Sequence, residues 1–189
     1  MKIIGFNASP RKTGNTAWSL GQILESAAGA GAETEIFHCG ELKINPCCGC
    51  LSCAKGDGCV VDDDMQQIYA ALKGADALVL GSPLYMAQMS GQAKVFTDRL
   101  FAQITPRFSP SFKEENAGKK LILLFTQGNP DQSRFQVYYD YTKSMYQLLE
   151  FDVREMLIVT GTRDRPASGN AALRETLRVA GRDLASPAL

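Results

Sequence analysis

The stretch that decides the fold is residues 1–16, MKIIGFNASPRKTGNT. Lys2 to Asn7 is a short apolar run with β-branched residues, which is typical of a buried strand. A polar, glycine-containing turn from Ala8 to Thr16 follows it, and a helix is expected to begin near Asn15. The order strand, polar loop, helix brings the N–H groups of the loop and of the helix N-terminus to one point, and such a point binds phosphate.

The same unit recurs along the chain. Alternating charged and apolar residues predict a second strand at Glu33 to His38, and apolar runs predict further strands at Ala75 to Gly81, Lys119 to Thr126 and Val153 to Thr160. Periodic apolar residues predict helices from Asn15 to about 27–32, and at Asp64 to Lys73, Gly91 to Gln103, 132–149 and Asn170 to Leu184. Continuous apolar runs such as ADALVLG mark the middle of a parallel sheet. The alternation therefore predicts a parallel sheet with right-handed crossovers and helices on both faces.

Length and charge narrow the class of protein. The 189 residues favour a single domain over 1–189, with a cysteine-rich insertion at about 46–60. Twenty basic residues balance 20 acidic ones, so neither nucleic acid nor a membrane surface is an expected partner. The first strand is too short for the apolar region of a signal peptide, and no apolar run is long enough to span a bilayer. We therefore expect a cytoplasmic protein.

The loop at residues 7–16 has the chemistry of a phosphate site. Gly14 lets the backbone approach a ligand closely, and hydroxyl and amide donors stand at Ser9, Thr13, Asn15 and Thr16. The loop matches neither GxxxxGK[ST] nor GxGxxG, which argues against a nucleoside triphosphatase and against ordinary dinucleotide binding. The alternative is a polar turn that only caps the helix.

A second loop follows the third predicted strand. Ser82-Pro83 is typical of the start of a turn, and Tyr85 with Met86 offers a flat, polarizable surface suited to a planar ring. Because ligands of doubly wound sheets bind beyond the carboxyl ends of the strands, both loops are expected to face one ligand. The alternative is that Tyr85 and Met86 are ordinary core residues.

The two motifs NASPRKTGNT (7–16) and GSPLYMAQMSGQAKVFTDR (81–99) together resemble the NADPH-dependent FMN reductase group of the flavodoxin-like superfamily. The resemblance runs from Met1 to about residue 160. It implies a doubly wound, five-stranded parallel α/β sheet with strand order 2-1-3-4-5. It implies that the FMN phosphate is held by Ser9, Arg11, Lys12, Gly14, Asn15 and Thr16. It implies that the flavin ring contacts Ser82, Pro83, Leu84, Tyr85, Met86, Ala87, Gln88 and Ser90, and also Thr126, Gln127 and Gly128.

The segment from Pro46 to Cys59 contains the spacing Cys-x2-Cys-x2-Cys-x5-Cys, at residues 47, 50, 53 and 59. The first spacings equal those of the bacterial ferredoxin run, although the last gap is longer and Val60 replaces the proline. With Asp62-Asp63-Asp64-Met65 downstream, the segment resembles that of the iron-sulfur flavoproteins of anaerobic microbes. That branch binds one [4Fe-4S] cluster beside FMN and works as a dimer. A zinc site and unligated or redox-active thiols are the alternatives.

We expect Cys47, Cys50, Cys53 and Cys59 to ligate the cluster, with Gly56 and Gly58 turning the chain back. Cys48 is excluded because adjacent residues in a tight loop point apart. The acidic run 62–64 is expected to cap the second helix, Cys39 and His38 to be packing residues, and the arginines of residues 163–182 to be surface residues.

The resemblance implies an FMN-dependent oxidoreductase that passes electrons from NAD(P)H or ferredoxin to an acceptor. No catalytic side chain is assigned, because the flavin carries the chemistry. A homodimer or tetramer is expected, since Tyr85, Met86 and Met89 would leave apolar surface beside the ring. A non-enzymatic, flavodoxin-type electron carrier and a thiol-based redox sensor are the alternatives.

Overall fold

The structure is a computed structural model that describes residues 1–55, 58–103 and 117–186. The strands are β1 (Lys2–Asn7), β2 (Glu33–His38), β3 (Ala77–Tyr85), β4 (Gln88–Met89), β5 (Lys120–Thr126) and β6 (Asp152–Val159). The α-helices are α1 (Asn15–Gly29), α2 (Met65–Gly74), α3 (Gly91–Arg99), α4 (Gln136–Leu148) and α5 (Ala171–Ala185).

Within the described residues, the strands form one sheet with the order β2-β1-β3-β5-β6, and all four of these pairings are parallel. The two-residue β4 lies off this path and pairs antiparallel with the end of β3. The predicted order of the parallel strands is therefore confirmed, and β4 is an addition that the sequence did not indicate.

The sheet is buried on both faces because alternate residues of the central strands face opposite layers. Ile4 and Phe6 of β1 pack with α2, α3 and α4, whereas Ile3 packs with α1 and α5. The two helices of the second layer touch each other at Gly181, where an added Cβ would lie 2.2 Å from the carbonyl oxygen of Ile23. Only glycine permits this approach.

The predicted elements are confirmed, with shifts at several ends. The helix predicted at 91–103 ends as an α-helix at Arg99 and continues as a 3-10 turn from Leu100 to Gln103. The helix predicted at 132–149 likewise begins with a 3-10 turn from Ser133 to Phe135. None of the helices in the described part of the chain combines the length and the apolar character that crossing a bilayer requires.

The predicted end of the third strand at Gly81 is wrong, and so is the turn predicted at Ser82-Pro83. The strand continues to Tyr85, because β5 runs alongside it as far as the pair Pro83↔Thr126. Its pairing with β1 stops at Gly81. Pro83 lacks a backbone N–H and is tolerated where a strand has lost one neighbour, as at a sheet edge.

Candidate functional site

The loop after β1 is held in place by its own side chains. The backbone N–H of Ser9 donates to Asn7 Oδ1 over 3.2 Å, and the N–H of Arg11 donates to Ser9 Oγ over 3.1 Å. Asn7 and Ser9 are buried, whereas Arg11, Lys12 and Thr13 are exposed. The loop therefore presents its charged side chains to solvent on a fixed backbone.

The N-terminus of α1 is open to a ligand. Its N-cap is Gly14, which has no side chain to accept a hydrogen bond, and the first turn contains no acidic residue. The first N–H groups of a helix have no partner within the helix and carry its positive dipole end. This end of α1 can therefore accept an anion.

Two side chains of the first turn of α1 connect it to other loops. Thr16 Oγ1 and Thr126 Oγ1, both buried, lie 2.7 Å apart at the ends of α1 and β5. Asn15 donates from Nδ2 to the carbonyl of Thr162 over 3.4 Å and accepts from the N–H of Ala167 over 2.9 Å. The side-chain amide of Asn15 thus binds the loop that follows β6. The sequence did not indicate that this loop lies beside the site.

The hairpin of β3 and β4 carries the predicted ring contacts. Its turn consists of Met86 and Ala87, with φ angles of 48° and 65°. Neither is glycine, so the backbone is strained there, and such strain is common at functional sites. Met86 is 97% exposed and Tyr85 is 47% exposed. Their side chains are therefore not core residues, which removes the alternative that the sequence left open.

Buried hydroxyls attach the base of this hairpin to the loop after β1. Ser90 Oγ donates to the carbonyl of Ala8 over 2.7 Å and accepts from the N–H of Ala93 over 3.1 Å. The N–H of Ser90 donates to Ser82 Oγ over 3.0 Å. Because these hydroxyls already have partners within the chain, Ser82 and Ser90 shape the site from behind its surface.

Gln127 follows β5 and lies at the third edge of the site. It is buried, its Oε1 accepts from the hydroxyl of Tyr139, and its Nε2 donates to the carbonyls of Asn129 and Asp131 over 2.9 Å each. Burial raises the pKa of Tyr139 to about 12, so the phenol keeps the proton that it donates. The three predicted loops thus meet at the carboxyl ends of β1, β3 and β5.

An ion pair and a hydrogen bond lie beside the loop after β1. Lys12 forms an ion pair with Glu41, and Asn7 Nδ2 lies 3.1 Å from His38 Nδ1. Burial lowers the pKa of His38, although the charge of Glu41 acts in the opposite direction. His38 therefore stays neutral near pH 7, and it is a hydrogen-bonded residue behind the loop, as the sequence indicated.

The cysteine segment lies in the connection between β2 and α2. Cys47, Cys48 and Cys50 are exposed, whereas Cys53 and Cys59 are half-buried against the core. Gly49, Leu51 and Gly58 have positive φ and turn the chain. Gly56 lies outside the described residues. Among residues 1–55, 58–103 and 117–186, no three His, Cys, Asp or Glu side chains are grouped closely enough to hold one metal ion.

The four predicted ligand cysteines lie on one connection, between β2 and α2. Burial raises the pKa of Cys53, and the negative charges of Cys59, Cys47 and Cys50 raise it further. Thiolates are the ligands of iron-sulfur clusters, and four of them on one loop fit that group in chemistry. Of the acidic run predicted to cap α2, Asp63 Oδ1 accepts from the N–H of Met65 over 3.0 Å, whereas the N-cap residue Asp64 makes no side-chain bond to the helix.

Comparisons with known proteins agree with the geometry. The family model described as NADPH-dependent FMN reductase matches residues 1–146. Iron-sulfur flavoprotein MJ1083 of Methanocaldococcus jannaschii is 39% identical over 99 residues, 52% of this chain and 51% of that protein. An iron-sulfur flavoprotein of Archaeoglobus fulgidus is 41% identical over 133 residues, 70% of this chain and 58% of that protein. The chain thus matches little more than half the length of these relatives.

A solved structure shows the same fold over the whole chain. The NAD(P)H:quinone oxidoreductase from Methanothermobacter marburgensis superimposes with a TM-score of 0.76 at 16% identity, covering 100% of this chain and 99% of that one. At this identity the likeness concerns the fold, which is the flavodoxin-like arrangement that the sequence indicated.

Proposed function

The chain belongs to the NADPH-dependent FMN reductase family, and we propose that it is an FMN-dependent oxidoreductase that takes electrons from NAD(P)H. The observation that carries the proposal is the meeting of three loops at the carboxyl ends of β1, β3 and β5, where doubly wound sheets bind ligands. The hydroxyl pair of Thr16 and Thr126 and the bond from Ser90 to Ala8 hold these loops together.

The phosphate of FMN would lie at the N-terminus of α1, against the set Ser9, Arg11, Lys12, Gly14, Asn15 and Thr16. The uncapped N–H groups of this helix and the absence of acidic residues from its first turn support the assignment. The hydroxyls of Thr16 and Thr126 share one hydrogen bond, so one hydrogen is left to donate to a phosphate oxygen. Arg11 is exposed and free to approach the same charge.

The ring would lie against the hairpin and the end of β5, with the set Ser82, Pro83, Leu84, Tyr85, Met86, Ala87, Gln88, Ser90, Thr126, Gln127 and Gly128. Tyr85 and Met86 supply apolar contact, and the buried Ser82 and Ser90 fix the hairpin that carries them. FMN, when bound, supplies the hydride acceptor, and the protein positions it and its nicotinamide substrate. We assign no side chain as acid or base.

The test is the cofactor and the turnover of the purified protein. The cofactor released by denaturation should be FMN, and NADPH or NADH oxidation should require it. FAD in the released fraction would contradict the assignment of the phosphate loop. FMN that binds without any nicotinamide turnover would favour an electron carrier over an enzyme.

We further propose that Cys47, Cys50, Cys53 and Cys59 hold one [4Fe-4S] cluster, which would exchange electrons with FMN or with a ferredoxin. The relatives named iron-sulfur flavoproteins and the spacing of four cysteines on one loop support this. Protein purified without oxygen should contain about four irons per chain. Cys53→Ser should lose the iron and keep FMN, whereas Cys48→Ser should keep both. Loss of iron from the Cys48 variant, or stoichiometric zinc, would contradict the ligand set.

A homodimer or tetramer of one-domain chains completes the proposal. Met86 is 97% exposed, and α4 exposes Val137 and Tyr141 by 85% and 70%. The hydroxyl of Tyr138 accepts from the N–H of Met89 over 2.8 Å and so joins α4 to the hairpin. A second copy would cover this apolar surface. Sedimentation at micromolar concentration should show dimers or tetramers, and monomers alone would contradict the proposal.

A further inference from the structure

Arg99, the last residue of α3, is buried beside the cysteine segment. Its side chain is 1% exposed, and that of its partner Asp63 is 3% exposed. Nη1 donates to Asp63 Oδ2 over 2.7 Å, and Nη2 donates to Oδ1 over 3.1 Å. Burying two charges is costly even when they pair, so an ion pair of this kind is not explained by stability alone.

The pair fastens the two ends of the cysteine segment to each other. Arg99 Nη1 also donates to the carbonyl of Asn45 over 2.8 Å, and the N–H of Asn45 donates to Asp63 Oδ2 over 2.8 Å. Next to this pair, the N–H of Lys43 donates to Asp64 Oδ2 over 2.6 Å, and the N–H of Asp64 donates to the Lys43 carbonyl. The segment is therefore a loop with a closed neck, and Arg99 lies in that neck.

The chain that returns from the loop is attached to α2 at Cys59 and Val61. Gln66 Nε2 donates to the carbonyls of Cys59 and Val61 over 2.9 and 2.7 Å. The hydroxyl of Tyr69 donates to the carbonyl of Arg99 over 2.7 Å. Helix α2 therefore holds both the chain at Cys59 and the end of α3 that carries Arg99.

Arg99 retains one donor without a partner. Its Nε is buried and has no acceptor among the described residues. The guanidinium is a permanent cation in the neck of the loop, and buried donors of this kind are normally satisfied.

We propose that Arg99 is a positioning residue for the cysteine site, which holds the neck of the loop closed and places a fixed positive charge there. Its unpaired Nε–H is the donor that the neck offers to the site. Groups that bond to metal ligands from outside orient those ligands and tune the metal site. The inference rests on the proposed [4Fe-4S] cluster.

The test uses Arg99→Gln, Asp63→Asn and Arg99→Lys in protein purified without oxygen. Iron and FMN are counted per chain, and the midpoint potential of the cluster is measured by a redox titration followed by electron paramagnetic resonance. Arg182→Gln is the matched control, because it removes an arginine from an exposed ion pair with Glu175 at 2.8 Å on α5. This control should leave iron, FMN and potential unchanged.

The two neutralising variants should shift the potential in opposite directions. Reduction adds a negative charge to the cluster, so loss of the Arg99 cation should lower its potential and loss of the Asp63 anion should raise it. Arg99→Lys keeps the charge and should remain nearer to the wild type. Removing the outer contact should also speed iron release to a chelator by about 10- to 100-fold in Arg99→Gln.

Shifts of the same sign in both variants, or no shift, would overturn the proposal, because general loosening of the loop acts alike in both. Loss of iron from Arg99→Gln with FMN retained, reversed by Arg99→Lys, would support it. If Arg99→Gln does not fold and so binds no FMN, Asp63→Asn alone tests the proposal. A raised cluster potential in that variant supports it, and an unchanged or lowered potential overturns it. Iron-free wild type would overturn both the cluster and this inference, whereas iron-loaded wild type with unmoved potentials would overturn this inference alone.

Discussion

Replacing Thr16 by valine tests both the frame of the site and its proposed ligand. The hydroxyls of Thr16 and Thr126 lie 2.7 Å apart, with the residues 2% and 5% exposed. Valine keeps the shape of threonine and removes the hydroxyl, so Thr16→Val leaves Thr126 Oγ1 buried without this partner. We expect the free energy of unfolding of the cofactor-free protein to fall by about 1–3 kcal/mol.

The double variant Thr16→Val/Thr126→Val should lose much less than the sum of the two single variants, because it leaves no unpaired hydroxyl. FMN affinity should follow a different order. A hydrogen bond to a charged phosphate contributes about 1.5–3 kcal/mol, so Thr16→Val should raise the Kd for FMN by about 10- to 150-fold. Thr126→Val keeps the Thr16 hydroxyl and should bind FMN more tightly than Thr16→Val does.

Urea denaturation of the cofactor-free protein gives the stabilities, and quenching of FMN fluorescence gives the Kd. Thr176→Val is the control, because the Thr176 hydroxyl is exposed and bonds only within α5, to the carbonyl of Ala172 over 3.2 Å. A double variant as unstable as the sum of the singles would refute the hydroxyl pair. An unchanged Kd in Thr16→Val would refute the phosphate site at α1.

Three further predictions concern the hairpin, the buried thiol and the end of β5. Ala87→Gly should raise the free energy of unfolding by up to about 1 kcal/mol, since glycine adopts the positive φ of 65° without strain, and a lower melting temperature would contradict this. In iron-free protein at pH 8, iodoacetamide should modify the exposed cysteines before Cys39, because burial raises the pKa of Cys39 to about 11. Mass spectrometry measures the order of modification, and earlier modification of Cys39 would contradict the prediction. Tyr139→Phe should lower the free energy of unfolding by about 1–3 kcal/mol, because it leaves Gln127 Oε1 without its donor. Tyr141 is 70% exposed, so Tyr141→Phe should change that free energy little in the same urea denaturation assay.

The sequence predicted the parallel strands well because their signals are local. β1 and β2 are bounded by polar or glycine-containing turns, and their limits agree with the prediction residue for residue. The end predicted for the third strand at Gly81 was wrong, because Ser-Pro indicates a turn only where no neighbouring strand continues to pair. Here β5, distant in sequence, continues to pair with β3 as far as Pro83. Tertiary pairing overrides local preference in such places.

Arg99 was not predicted as part of any site for a related reason. An arginine in the last turn of a helix normally lies in solvent and favours the helix dipole. Its burial depends on Asp63, which lies 36 residues earlier in the chain, and on the backbone of Asn45. Nothing in the local pattern indicates that partnership, because the acidic run 62–64 is explained locally as the cap of the second helix.

The hydroxyls of the site connect its loops to one another, and this affects how variants of the site must be interpreted. Ser90 bonds to Ala8, and Thr16 bonds to Thr126, so each joins segments that are far apart in sequence. Loops fixed in this way lose little freedom when a ligand binds, and a site ordered in advance gains affinity for that reason. Replacing one of these residues therefore weakens FMN binding through lost order even where the side chain never touches FMN. Only a paired variant that removes both partners separates that contribution from direct contact.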